Sequence, residues 1–129
     1  MAEKNRKKEI MQALETWGEA VKTRDPDNVT RLYAEDGVLW GTVSQTIRPG
    51  HELIHDYFVH FLAKENIRGK VTDQNIRIYG DIAINSGSYT FKWTENAQEI
   101  AADARFSFVY RNIEGKWMIA DHHSSFVPE

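Results

Sequence analysis

The chain has 129 residues, 41% of them hydrophobic and 27% charged, and its net charge is −3 at pH 7. This composition predicts one folded domain over residues 1–129 and gives nucleic acid no electrostatic reason to bind. The lack of cysteine excludes disulfides, thiolate nucleophiles and cysteine-bound metals. No segment has the roughly 20 apolar residues of a membrane span, and the start has no signal-peptide core. We therefore expect a cytoplasmic protein with no membrane partner.

Two helices are predicted at the start of the chain. Apolar residues recur at helical spacing from Ile10 to Val21 and predict an amphipathic helix over residues 5–24. The segment Asp25-Pro26-Asp27 breaks this helix and offers a cap for a second, shorter one, which ends at Glu35-Asp36-Gly37. The apolar face of the second helix would consist of Val29, Leu32 and Tyr33.

A third helix is predicted after a short extended segment from Val38 to Trp40. Arg48-Pro49-Gly50 interrupts the chain, and a wide apolar face then predicts a helix. That face consists of Leu53, Ile54, Tyr57, Phe58, Phe61 and Leu62.

From Val71 onward the hydrophobic period changes from helical to alternating, which is typical of β-strands. Isoleucines flank a turn at Gly80-Asp81, Asn112 to Gly115 form a hairpin loop, and Lys116 to Phe126 form the last strand. Aromatic residues share one face of each of two strands: Tyr89, Phe91 and Trp93, then Phe106, Phe108 and Tyr110. Helices followed by long strands predict an α+β fold, in which three N-terminal helices pack on a strongly bent, mixed or antiparallel sheet around a pocket.

The last hairpin allows the facing of its side chains to be predicted. If Asn112 to Gly115 is a four-residue loop, Arg111 pairs with Lys116 and Arg105 with His122. One face then holds Asp103, Arg105, Ser107, Val109, Met118, Ala120, His122 and Ser124. The other holds Phe106, Phe108, Tyr110, Trp117, Ile119, Asp121, His123 and Ser125, an aromatic density that suits a homodimer interface between sheets. A bulge would exchange the partners of one strand.

The string His51-Glu52-Leu53-Ile54-His55 matches the H-E-x-x-H pattern, which can bind zinc when it lies inside a long helix. Here Pro49-Gly50 places the motif in the first helical turn, and a third ligand at suitable spacing is missing. We therefore expect no metal, with His51 and His55 at the rim of the pocket.

Three strings together resemble the nuclear transport factor 2-like superfamily. They are Arg31-Leu32-Tyr33-Ala34-Glu35-Asp36-Gly37-Val38-Leu39-Trp40, Gly50-His51-Glu52-Leu53-Ile54 and Gly115-Lys116-Trp117-Met118-Ile119-Ala120-Asp121-His122-His123-Ser124-Ser125. Within the superfamily the chain is most similar to SnoaL-like proteins of the SgcJ/EcaC type and to the association domain of calcium/calmodulin-dependent kinase II. The resemblance implies a cone-shaped fold with a cavity, a homodimer built through the sheet, and functions that range from isomerases, cyclases and dehydratases to scaffolds.

The resemblance also implies a test for carboxylate binding. In the kinase association domain, an arginine that matches Arg105 lines the cavity and binds carboxylates, and two further cavity arginines match Ser124 and Tyr89. This chain keeps one arginine of the three, which argues against a strong carboxylate site.

The candidate catalytic residues are Arg105, His122, Asp36 and Asp103. Three of them would share one concave face: Arg105 would anchor a charged group of the ligand, Asp103 would supply an orienting carboxylate, and His122 would act as general acid or base. Asp36 is an alternative base, although its segment equally predicts a turn. The candidate ligand-binding residues are Trp17, Tyr33, Trp40, Tyr57, Phe61, Tyr89, Phe91, Ser107 and Ser124. The structural alternatives are an Arg–Asp ion pair and an aromatic core.

Three functional hypotheses follow. The first is a SnoaL-like enzyme that needs no cofactor and performs proton transfer on a small hydrophobic carbonyl compound. The second is a binding module for a small apolar or carboxylate-bearing molecule. The third is a homo-oligomerisation module.

Overall fold

The computed structural model describes the backbone of residues 2–128 and the side chains of residues 4–128. In chain order its elements are α1 (Ala2–Thr23), α2 (Pro26–Thr30), β1 (Tyr33–Trp40), β2 (Arg48–Pro49), α3 (His51–Phe61), β3 (Glu65–Tyr79), β4 (Ile82–Glu95), β5 (Gln98–Ile113) and β6 (Lys116–Phe126). The six strands form one sheet in the order β2-β1-β6-β5-β4-β3, with β1 parallel to β6 and the other neighbours antiparallel. The predicted α+β class, with N-terminal helices packed on a curved mixed sheet, is confirmed.

The core lies between the helices and the inner face of the sheet. Most of the apolar face of α1 predicted from its periodicity is buried, with Ile10 and Val21 fully inaccessible and Trp17 at 3% exposure; Met11, predicted as part of it, is 46% exposed. Arg24 ties the end of α1 to the end of α3, because its Nε donates to the Leu62 carbonyl oxygen at 2.9 Å. None of the helices described here is long and apolar enough to cross a membrane.

The second helix is shorter than predicted. It ends at Thr30, and the backbone N–H of Ile119 donates to the carbonyl oxygen of Leu32 at 3.0 Å. The residues from Tyr33 onward therefore join the sheet as β1. The prediction that helix continues to Glu35-Asp36-Gly37 was wrong, because pairing with β6 outweighs a weak local helical preference.

Other boundaries differ by less. α3 begins at His51, and Leu53, predicted as part of its apolar face, is 41% exposed. β3 begins at Glu65, six residues before the predicted start at Val71. The turn at Gly80-Asp81 and the bounds of β6 are as predicted.

The last hairpin has a tighter turn than predicted. Ile113 pairs with Lys116, so the loop is the two residues Glu114 and Gly115, whose φ angles are 52° and 85°. Positive φ at both central residues is characteristic of a type I′ turn, whose twist matches the right-handed twist of the two paired strands. The tighter turn moves the register by two residues, so the same side chains of β5 and of the start of β6 still share a face. The face with Phe106, Phe108 and Tyr110 is the inner one, however, and is buried in the core. The prediction that it forms a dimer interface was therefore wrong, because its aromatic density belongs to the core under the helices.

A bulge in β6 then reverses the facing. Tyr110 pairs with Ile119, whereas Val109 pairs with Asp121, so Ala120 is an extra residue in β6. Beyond this bulge His122 lies opposite Phe108 on the inner face. The predicted pairing of His122 with Arg105 was therefore wrong.

Candidate functional site

The inner face of the sheet and the helices enclose a small cavity, called here the inner cavity. Its lining residues are Trp17, Leu39, Gly41, Thr42, Tyr57, Phe58, Phe61, Tyr89, Phe91, His122 and Ser124. Seven of these were predicted as site residues: Trp17, Tyr57, Phe61, Tyr89, Phe91, His122 and Ser124. The cavity volume is about 10 Å³, room for about one water molecule. The aromatic side chains therefore fill most of the predicted pocket.

Stacked and edge-on rings build the walls. The Trp17 ring stacks on Tyr89 with a centroid distance of 5.8 Å, and its edge meets Phe58 at 6.5 Å. Tyr57 stacks on Phe61 at 5.6 Å. Such pairs stabilise by about 0.5–1.5 kcal/mol beyond the burial of their area.

A chain of hydrogen bonds crosses the cavity wall. Trp17 Nε1–H donates to the Tyr33 hydroxyl at 3.2 Å, and the Tyr33 hydroxyl lies 2.7 Å from His122 Nδ1. His122 Nε2 lies 3.2 Å from the Tyr89 hydroxyl, which donates to Ser124 Oγ at 2.6 Å. Ser124 Oγ continues the chain to the hydroxyl of Thr42. Six polar side chains, five of them buried, are thus connected from Trp17 in α1 to Thr42, just beyond the end of β1.

One assignment of protons satisfies this chain. Tyr89 uses its single hydrogen toward Ser124, so it accepts the hydrogen of His122 Nε2. A neutral imidazole protonated at Nε2 leaves Nδ1 as an acceptor, and Tyr33 donates to it. Tyr33 in turn accepts from Trp17. Every bond then points the same way, toward Ser124.

The chain is held neutral by burial. Burial, together with a smaller contribution from the charge of neighbouring His123, lowers the pKa of His122 to about 3. Burial also raises the pKa values of Tyr33 and Tyr89 far above their ordinary value, and that of Tyr57 to about 12. The Phe108 ring stacks on His122 at 3.8 Å, which leaves the imidazole little access to water. The site therefore offers neutral hydroxyl and N–H groups and holds no ionised side chain among its lining residues.

Three of the four candidate catalytic residues lie outside the inner cavity. Arg105 and Asp103 are exposed on the outer face, where Arg105 Nε donates to Ser125 Oγ at 3.3 Å and Asp103 accepts from Thr90 Oγ1 at 2.7 Å. Asp36 is exposed on β1 and pairs with Arg111 at 3.4 Å. The predicted cluster of Arg105, Asp103 and His122 was wrong, because the bulge at Ala120 turns His122 inward.

Three of the candidate ligand-binding residues also lie outside the lining. Ser107 is exposed and pairs with His123, and Trp40 is 43% exposed on the same outer face. Tyr33 is fully buried behind the lining residues and is hydrogen-bonded to His122, which does line the cavity.

The histidines of the H-E-x-x-H string point away from each other. His51 Nε2 bonds the Tyr33 carbonyl oxygen at 2.7 Å, and His55 Nε2 lies 2.9 Å from Asp27 Oδ1. Within residues 2–128 no three ligating side chains come together as a metal site.

Four cavity residues were not predicted as site residues: Leu39, Gly41, Thr42 and Phe58. Of these, the sequence reasoning gave no role at all to Gly41 and Thr42. They follow the last residue of β1, and their position depends on α3 packing over them. A Cβ at Gly41 would lie 2.2 Å from Tyr57 Cζ, so the Tyr57 ring occupies the space that any other residue would fill. Nothing in the local sequence signals this contact.

Comparison with known proteins decides the family. The model of the calcium/calmodulin dependent protein kinase II association domain matches residues 6–128. The chain belongs to this family. The structure of a candidate association domain from Xanthomonas campestris is 41% identical, with a TM-score of 0.89 over 94% of this chain and 87% of that one. No curated protein sequence matches the chain.

More distant structures share the fold of the association domain family. A candidate dehydratase of the NTF2-like family from Streptomyces avermitilis has a TM-score of 0.84 at 15% identity, over 95% of this chain and 96% of that one. A candidate aromatic ring hydroxylase from Novosphingobium aromaticivorans has a TM-score of 0.82 at 21% identity, over 94% and 88%. The predicted resemblance to the nuclear transport factor 2-like superfamily and to the association domain is confirmed.

This member of the association domain family departs from the expected cavity chemistry. At two positions where the resemblance implies arginines, Tyr89 and Ser124 bond each other inside the cavity. The third, Arg105, faces outward.

Proposed function

We propose that the chain is a small-molecule pocket protein whose inner cavity binds a small hydrophobic compound through a carbonyl or hydroxyl group. The observation that supports this most is the neutral hydrogen-bond chain from Tyr33 through His122 to Ser124, bordered by aromatic walls. Small-molecule sites combine apolar walls with a few convergent polar groups in this manner. To enter, the compound would move the aromatic walls apart and enlarge the water-sized cavity, and it would accept a hydrogen bond from Ser124, Thr42 or Tyr89 or donate one to them.

A charged group is disfavoured inside the inner cavity. A carboxylate there would lose its hydration without meeting a cation, which costs several kcal/mol. A ketone loses far less on burial and can accept one hydroxyl hydrogen. The inner cavity thus favours neutral carbonyl compounds over short acids.

Proton-transfer catalysis is the alternative, and the name of the candidate dehydratase from Streptomyces avermitilis supports it. Of the four candidate catalytic residues His122 alone lines the inner cavity. With its pKa lowered to about 3, His122 is a weak base at neutral pH. We therefore place binding ahead of catalysis. The SgcJ/EcaC affiliation, the lack of a cofactor and the cytoplasmic location stay predictions of the sequence.

Three isosteric probes test the binding proposal: acetophenone, ethylbenzene and benzoate. We expect acetophenone to raise the thermal unfolding midpoint more than ethylbenzene or benzoate does, because it can accept a hydrogen bond and carries no charge. A ligand at a hundred times its Kd stabilises the folded protein by about 2.7 kcal/mol. In Tyr89→Phe, acetophenone should bind about fivefold more weakly while ethylbenzene is unchanged, because the ketone would take over the hydrogen that Tyr89 donates to Ser124, and about 1 kcal/mol of hydrogen bonding is lost with it.

Tyr79→Phe is the matched control, because Tyr79 is 61% exposed at the far end of β3. Equal binding of acetophenone and ethylbenzene, or an unchanged Kd in Tyr89→Phe, would contradict the proposal.

Homo-oligomerisation is a second function, favoured by a stripe of half-buried apolar side chains on the outer face. This outer stripe consists of Val38, Ile82, Ile84, Val109 and Met118. Ile84 pairs directly with Val109, so the stripe is continuous across β4 and β5. We propose that a second copy of the chain covers it, as the name of the association domain family suggests.

Sedimentation equilibrium tests the outer stripe. Wild type should be a dimer and Ile84→Lys a folded monomer, because each copy would bury an unpaired ammonium. Thr90→Lys, on the same strand but outside the stripe, is the control. A monomeric wild type, or a dimeric Ile84→Lys, would contradict this function.

A further inference from the structure

One row of four side chains crosses the outer face of the sheet from β3 to β6. The strand register pairs Arg77 with Ile84, Ile84 with Val109, and Val109 with Asp121. The two middle residues belong to the outer stripe, whereas the two end residues are charged. The row therefore has a cation at one end, an anion at the other end and apolar side chains between them.

Arg77 has a donor that no group of the chain uses. Its side chain is half-buried, and its Nη2 donates to Ser86 Oγ at 2.8 Å. Its Nε is buried and meets no acceptor in the described part of the chain. Arg77 also forms no ion pair with a carboxylate of residues 4–128. A guanidinium with this surplus is suited to a carboxylate, which can accept two of its N–H groups at once.

Asp121 is the anion at the other end of the row. Among the side chains of residues 4–128 its carboxylate has no ion-pair partner either. It reaches solvent, yet partial burial between Val38 and Val109 raises its pKa, and the charge of His123 acts in the opposite direction. A raised pKa means that no cation lies close enough to offset the lost hydration. Asp121 therefore lacks what Arg77 could supply.

The order of the four residues is self-complementary. A two-fold axis that runs along the strands between β4 and β5 would place β3 of one copy over β6 of its partner. Ile84 would then face the partner's Val109, and Arg77 would face the partner's Asp121. A two-fold axis across the strands would instead place β3 over β3 and β6 over β6, with like charges opposed. The charges therefore favour the axis along the strands.

We propose that two reciprocal ion pairs, each between Arg77 of one copy and the partner's Asp121, flank the outer stripe and fix how two copies of the chain associate. This inference rests on the proposed homo-oligomerisation, because it takes the outer stripe as the contact between copies. Burial of apolar side chains has no direction and leaves several orientations open. Two opposite-charge pairs at a set distance select one orientation and disfavour the others.

Charge reversal tests the two ion pairs by sedimentation equilibrium at low ionic strength, where charges are screened least. Arg77→Glu brings two carboxylates together at each end of the row, and Asp121→Arg brings two guanidiniums together. Each variant alone should weaken the dimer about a hundredfold, because like charges in a contact repel strongly. Lys70→Glu, seven residues earlier in β3, is the matched control and should leave the Kd within about twofold of wild type, because it makes the same change of charge outside the row.

An equal mixture of Arg77→Glu and Asp121→Arg is the decisive sample. In a mixed dimer both pairs again join opposite charges, so the Kd should return to within about fivefold of the wild-type value. A fluorescent label on Arg77→Glu shows whether the restored dimer contains both variants. An ion pair formed within one copy could not be rescued by mixing.

A milder pair of variants covers the case in which urea unfolding shows a reversed variant to be unfolded. Arg77→Gln and Asp121→Asn each remove both ion pairs and should each weaken the dimer about tenfold. Their mixture regains one of the two pairs and should be only about threefold weaker than wild type.

The outcomes separate this inference from the proposed homo-oligomerisation. If wild type is a dimer and Ile84→Lys is a monomer, but the folded charge variants dimerise like wild type, the inference is wrong while the outer stripe remains the contact. Weakened variants that mixing does not rescue would also overturn the inference. A monomeric wild type, or a dimeric Ile84→Lys, would overturn both.

Discussion

Two neighbouring histidines of β6 lie in opposite environments, because they point to opposite faces of the sheet. His122 is 3% exposed, neutral and bonded to two tyrosines, whereas the next residue, His123, is exposed on the outer face beside Trp40. Both are the same residue type on the same strand. The difference shows that facing, rather than residue type, decides which polar groups can form a neutral site and which remain hydrated.

The largest effect is expected from truncating the two histidines in turn. His122→Ala should lower the free energy of unfolding by about 2–4 kcal/mol, because it leaves a void and deprives the Tyr33 and Tyr89 hydroxyls of a partner. His123→Ala should change it by no more than about 0.5 kcal/mol, since an exposed side chain loses little. Urea unfolding at a fixed protein concentration measures both. Similar losses for the two variants would refute the difference between the faces.

A smaller effect is expected from pH. The folded pKa of His122 is about 3, below the unfolded value near 6.5, so the unfolded chain binds the proton first. The stability that His122 contributes is complete above about pH 6.5 and falls as the pH drops toward 3. At about 1.4 kcal/mol per pH unit, the loss between pH 6.5 and pH 5 is about 2 kcal/mol.

His122→Gln supplies the matched comparison for this pH dependence. Glutamine fills much of the same space and hydrogen-bonds but does not titrate, so the variant should lack the 2 kcal/mol loss. The exposed histidines and the carboxylates are common to both proteins, and their contribution cancels in the difference. Parallel curves for wild type and variant would mean that His122 is hydrated in the folded state.

These expectations depend on features that the sequence predicts unequally. The aromatic strand faces were predictable, because Tyr89 and Phe91 alternate with polar residues and a half-buried strand has a period of two. The contribution of Trp17 and Tyr57 was predictable from helical periodicity. The inner cavity residues that could be predicted are therefore those whose orientation follows from the hydrophobic period of their own strand or helix.

The facing of His122 was not predictable in the same way. It depends on one extra residue at Ala120, and neither a glycine nor a proline marks the bulge. Tyr33 was assigned to a helix for a related reason, since its strand exists through pairing with β6. Both cases are long-range interactions that no short segment of sequence contains.

The smallest effect is expected from Arg105, which the sequence placed in the pocket and the structure places outside. Arg105→Ala should change the free energy of unfolding by less than about 0.5 kcal/mol, because the guanidinium makes a 3.3 Å bond to Ser125 in contact with solvent. The Kd for acetophenone should also stay unchanged, since the side chain does not line the inner cavity. Urea unfolding and a ligand titration measure these two quantities. A tenfold weaker Kd in a folded variant would show that Arg105 reaches the ligand, and the assignment of the two faces would then be wrong.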